Sequence, residues 1–130
     1  MTKTIFMDKY PVYSLNIEKK ETKYKSVDEI VKHFEALIEA HPVAKSIAVF
    51  DHYEHTVSMK DGVVAPEIKA AKNVIFCFGK QLPTSKILAV RPRSIGICEL
   101  EESFEISFLE VPNEQLHKVS EEWAKSIANA

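Results

Sequence analysis

The segment Val74 to Gly79, VIFCFG, constrains the fold more than any other part of the chain. An apolar run this short is a strand in the middle of a sheet, covered on both faces, and not a surface helix. Alternation along it puts Val74, Phe76 and Phe78 on one face and Ile75 and Cys77 on the other. The rest of the chain must therefore supply cover for a hydrophobic β-layer.

Two segments have the spacing to do so. Ser26 opens a helix with a capping box, its hydroxyl accepting an orphan N–H while Glu29 reaches back. Val27, Ile30, Val31, Phe34, Leu37 and Ile38 then form one apolar stripe, and Pro42 ends the helix near His41. The second helix starts from Asn113 as N-cap and runs to about Ala128, with Leu116, Val119, Trp123 and Ile127 on one face.

Between and around them lie strand patterns. Thr4 to Met7 and Val12 to Ile17 read as short strands separated by Pro11, which cannot donate to a ladder. Lys19 to Lys25 is a charged loop, and Lys45 to Phe50 is another strand. Ser94 to Leu100 and Phe104 to Val111 pair as a hairpin around Glu101, Glu102 and Ser103. Asp51 to about Lys60 is expected as a short helix, with Asp51 at the N-cap and Gly62 past its end. A helical turn is expected at Pro66 to Lys72, and an irregular link from Thr84 to Arg93.

The expected fold is α+β: one domain over residues 1–130, a mostly antiparallel sheet of about five strands, and two main helices on one face. With 45% hydrophobic and 28% charged residues, the 130-residue chain has globular composition. A net charge of -2 and a pI near 6.2 argue against a general nucleic-acid binder. No apolar run approaches bilayer length and the N-terminus has no signal-peptide pattern, so a cytoplasmic location is expected, with no membrane. Cys77 and Cys98 fit buried free thiols, although a disulfide between them is not ruled out by sequence.

The order of elements resembles a small bacterial domain-of-unknown-function family, the one numbered 302. The resembling parts are the capped helix at Ser26, the strand closing on Asp51 with a short helix ending at Gly62, VIFCFG with its turn to Pro83, and the hairpin ending in EVP at Pro112. That family often has Asn-Pro after the central strand, where this chain has Gly79, Lys80 and Gln81. The resemblance implies a compact α+β fold able to dimerise and no established activity.

No dinucleotide or phosphate loop, C-x-x-C, H-E-x-x-H or G-x-S-x-G occurs. Three clusters could carry chemistry. On a helix, His52 and His55 share a face and could bind a metal beside Asp51 and Glu54. On a strand the same spacing would separate them. From Ile68 to Cys98 every charged residue is basic, and Lys80, Arg91 and Arg93 could hold a small anion, arginine being suited to carboxylate or phosphate. The plainer account sets this basic stretch against the acidic stretch from Glu99 to Glu122. Cys77, between Phe76 and Phe78, fits core packing better than a reactive thiol, since an apolar setting raises a thiol pKa.

The helices cover one sheet face. A homodimer or a small apolar or anionic ligand would cover the other. The functional expectation is a non-enzymatic small-ligand or protein-interaction domain forming a homodimer. The alternative is a metal or thiol/redox enzyme using His52, His55 and Cys77. The sequence leaves open whether the chain is an enzyme and whether it takes a cofactor.

Overall fold

The computed structural model describes residues 1–129. Its centre is a six-stranded sheet built from β1 (Thr2–Phe6), β2 (Tyr10–Glu18), β3 (Ala44–Asp51), β4 (Ala70–Phe78), β5 (Arg93–Glu99) and β6 (Ser103–Leu109). The strand order is β1-β2-β6-β5-β4-β3, and every neighbouring pair is antiparallel. Three α-helices accompany it: α1 (Val27–Ala40), α2 (His52–Ser58) and α3 (Glu114–Lys125). The α+β class is as expected, with six strands in place of about five.

One sheet face carries the core. Val74, Phe76 and Phe78 of β4, Ile95 and Ile97 of β5, and Phe104, Ile106 and Phe108 of β6 are all buried there. Helix α1 lays Ile30, Phe34 and Ile38 onto them, all fully buried. The Trp123 ring of α3 stacks on Phe78 at 5.5 Å and meets Phe76 edge-on at 5.8 Å. Each such large side chain gains about 1.5–3 kcal/mol by leaving water.

The helix starts follow their capping residues. Ser26 accepts the Glu29 N–H, Asp51 that of Glu54, and Asn113 that of Leu116. The Glu29 carboxylate bonds the Lys25 N–H, not that of Ser26 as the capping-box expectation had it.

Several boundaries differ from expectation. Pro11 lies inside β2, opposite Ile5, rather than between two strands. Its carbonyl accepts the Glu110 N–H just past the end of β6, so its missing N–H falls where that ladder is already ending. Met7 leaves β1 and, with Asp8, takes a left-handed backbone in the hairpin turn. Ala70 to Lys72 belong to β4, not to a helical turn. The Lys69 N–H already bonds the Glu99 carbonyl at 2.8 Å, so pairing with β5 wins over the local proline signal. The Thr84–Arg93 link contains a 3-10 turn, Ser85–Ala89.

β3 contains a bulge. Ser46 pairs with Phe76 and Ala48 with Ile75, so Ile47 is an extra residue, and it is 57% exposed. Beyond it Asp51 pairs with Lys72, whose ammonium lies 2.6 Å from Asp28 of α1 and 3.7 Å from Asp51. The bond to Asp28 raises the Lys72 pKa above its ordinary value.

Two histidines tie the covered side together. The Ser126 hydroxyl bonds the Trp123 carbonyl, so it accepts from His33 Nε2 at 2.7 Å. That leaves His33 Nδ1 to accept from the Tyr24 hydroxyl, also at 2.7 Å. His117 Nδ1 accepts the Val111 N–H, and its ring meets Tyr13 edge-on at 4.2 Å. His117 Nε2 is 3.1 Å from Glu121 Oε1 but misaligned, so this buried nitrogen makes no hydrogen bond. Close approach without alignment gives an electrostatic contact, and the alignment is what a hydrogen bond requires.

Candidate functional site

The sheet face away from α1 and α3 is open. Register places one row of side chains across it: Thr2, Ser14, Ser107, Gly96, Asn73 and Phe50 are successive cross-strand partners. Five of the six are small or polar, in contrast to the covered face. Asn73 is held from two sides. Its amide nitrogen donates to Ser94 Oγ at 2.9 Å, and its amide oxygen lies 3.0 Å from His52 Nδ1. An amide oxygen only accepts, so His52 Nδ1 carries the proton and Nε2 has a free lone pair.

Two hollows adjoin this row. One, of about 560 Å³, is walled by Val12, Ala89, Val90, Leu109 and Pro112. The other, of about 370 Å³, is walled by Tyr53 and Thr56 of α2 and by Val63, Val64, Ala65 and Ile68 of the following segment. Asn73, Gly96 and Ser107 line both. Helix α2 is positioned by the Asp51 cap and by Phe50, whose ring packs against His52 and His55 at 4.9 and 5.1 Å. Gly62 lets the chain turn back after α2, because a Cβ there would collide with the Thr56 carbonyl oxygen.

His52 and His55 do share a helix, with ring centroids 6.2 Å apart. Among the described residues no group of three or more His, Cys, Asp or Glu converges on a metal-sized point. A catalytic zinc takes three protein ligands, so the pair would need a ligand from outside this group.

Cys77 lies on the open face opposite Lys45, five β4 residues from Lys72, the partner of Asp51 at the strand end where α2 begins. That is about 17 Å along the sheet, so register keeps Cys77 away from both imidazoles. Cys77 and Cys98 are both free. Cys98 pairs with Ala71 at the other end of β4, which precludes a disulfide between the two within one chain. Burial first, then Glu105, Glu67 and Glu99, push the Cys98 thiol above its ordinary pKa.

The three basic residues do not line one hollow. Arg91 and Arg93 line one hollow of about 160 Å³ with Phe78, Val111 and Leu116, while Lys80 lies by Lys45 and Ile47 at the β3 edge. Arg91 donates to the Gln81 carbonyl and folds over Gly79, whose φ of 98° and missing Cβ admit it. Arg93 Nη2 donates to the carbonyls of Leu109 and Glu110 at 2.6 and 3.1 Å. Burial lowers its pKa from the usual value. The acidic stretch meets the basic one at Lys69–Glu101, 3.4 Å apart and largely exposed.

Sequence reading missed Asn73, Ser94, Gly96 and Ser107. Two signals were present: an asparagine leading into an apolar strand, and a glycine inside the alternation SIGIC. Neither shows which strands become neighbours.

No helix among the described residues is long and apolar enough to cross a membrane. No curated protein and no solved structure matches the chain. One family model matches residues 1–129, and it is not the family numbered 302, so the resemblance drawn from element order is corrected: few shared residues and a common αβ order occur in unrelated families. The match covers almost the whole chain, and the protein belongs to DUF6858, a family of unknown function.

Proposed function

We propose that the protein is a non-enzymatic binding domain whose open sheet face holds a small organic ligand. One observation carries this reading: an ordered polar chain, His52–Asn73–Ser94, lies on an uncovered sheet between apolar walls. Such hollows, mostly apolar with a few fixed polar groups and several hundred Å³ in volume, are what small-molecule sites look like. The anionic version of the expectation has less support, since the Arg91 and Arg93 forks already donate to backbone carbonyls. Two free thiols suit the reducing cytoplasm, where we place the protein.

Amide shift mapping of the full chain against a fragment library tests the reading. Saturable shifts at Asn73, Gly96 and Ser107 are expected. Hits confined to the helix-covered side, or none at all, overturn it.

A homodimer is the second reading, favoured by the β3 edge. Ile47, Val49 and Phe50 are exposed there on a strand with one unpaired side. Light scattering should give twice the chain mass and Ile47→Lys should halve it. A chain mass at all concentrations removes this reading without touching the first.

A further inference from the structure

Resting on that binding reading, we propose that the two hollows form one trough continuous across Gly96, and that its occupant is an uncharged molecule with a hydrogen-bonding centre and apolar ends.

Gly96 is the first argument. A glycine inside a strand weakens it and commonly marks close approach by a ligand or another backbone. Nothing in this fold requires the glycine. It is absent from the positive-φ residues, and a Cβ built on it would meet Ser107 Oγ at 3.3 Å, with the Ser107 carbonyl oxygen at 3.6 Å and Asn73 Nδ2 at 3.7 Å at ordinary contact distance. A hydroxyl can rotate away from such a contact. The missing side chain instead leaves a low saddle where both hollows meet.

The chemistry of the floor is the second. Around the saddle stand the Asn73 amide and the Ser94 and Ser107 hydroxyls, which offer donors and acceptors together. These residues lie between the apolar walls of the two hollows.

Charge is the third. The charged side chains lining the hollows are engaged within the chain: Lys72 with Asp28 and Asp51, Arg93 with backbone carbonyls, and Glu110 with Lys3 at 3.1 Å. An ionised ligand would lose hydration without gaining a counter-charge.

Benzanilide, a neutral planar amide between two rings, is a suitable probe, with its para-carboxylate as the charged control. Titration followed by amide shifts should move Val90 and Leu109 from one hollow, Val63 and Ile68 from the other, and Gly96 between them. The carboxylate should bind at least about tenfold more weakly. Gly96→Val should weaken benzanilide about tenfold or more by filling the saddle, with the rest of the spectrum retained. If that variant unfolds, Gly96→Ala makes the same test, with about threefold expected.

Shifts confined to one hollow, or an affinity unchanged in the folded variant, overturn the continuous trough. Equal binding of the carboxylate overturns the uncharged class. Absence of open-face shifts with benzanilide, while library fragments still bind there, overturns the proposed ligand class alone. Failure of every compound overturns the binding reading beneath it.

Discussion

The two faces of the sheet each contain a histidine in a hydrogen-bonded relay, and the relays end differently. On the covered side, Tyr24, His33, Ser126 and the Trp123 carbonyl form a closed line in which both imidazole nitrogens have a partner. It joins the segment before α1, α1 itself and the end of α3. On the open side, the line from Ser94 through Asn73 stops at His52, whose second nitrogen faces outward. A closed relay stabilises a junction, whereas an open one has capacity for a further partner. The same side-chain type thus has both nitrogens partnered on one face and one on the other, according to whether the chain folds back over it.

Adjacent residues of β4 test this contrast most sharply. Phe76→Ala, in the covered core, should cost about 3–5 kcal/mol in denaturant unfolding. Ile75→Ala, its neighbour on the open face, should cost less than about half of that. Equal losses would mean that the two faces are packed alike.

His117→Ala should follow at about 1–3 kcal/mol, since it strands the Val111 N–H. His117→Asn should recover part, because an amide oxygen can replace Nδ1. No recovery would assign the loss to the Tyr13 contact instead.

A smaller effect depends on pH. Burial, and then Lys23, lower the His33 pKa. The folded protein therefore resists protonation that the unfolded chain accepts, so stability should fall as pH drops below about 6.5 and level off once the folded ring is charged. His33→Gln should flatten that part of the curve in unfolding titrations. An unchanged slope would place the acid sensitivity elsewhere.

Smallest in stability is Asn73→Ala, within about 1 kcal/mol, although it should abolish ligand-induced shifts on the open face. A large destabilisation would make Asn73 a structural residue and remove the contrast.

The covered face was legible because its signals are local. Ser26, Asn113 and the stripe ending at Ile38 depend on neighbours three or four residues away, and VIFCFG reports its own alternation. The open-face site was not, because Asn73, Gly96 and Ser107 become neighbours only through the register of three strands. The place of Pro11 in β2 likewise depends on the far end of β6, and that of Ala70 to Lys72 on Glu99. Lys80 and Arg91 are eleven residues apart in sequence, yet β-edge and loop direct them to different hollows.

Ile47 acts as a phase-shifter. Because consecutive strand residues point in opposite directions, one supernumerary residue moves the pairing of everything that follows it in β3 by one position and exchanges the faces those residues would otherwise take. That shift sets Asp51 opposite Lys72 and Phe50 opposite Asn73, at the strand end from which α2 leaves to wall one open-face hollow. Were Ile47 paired in an unbroken ladder, Val49 would stand opposite Asn73 and Phe50 opposite Lys72 on the covered side, so what meets the open row depends on one exposed residue outside it.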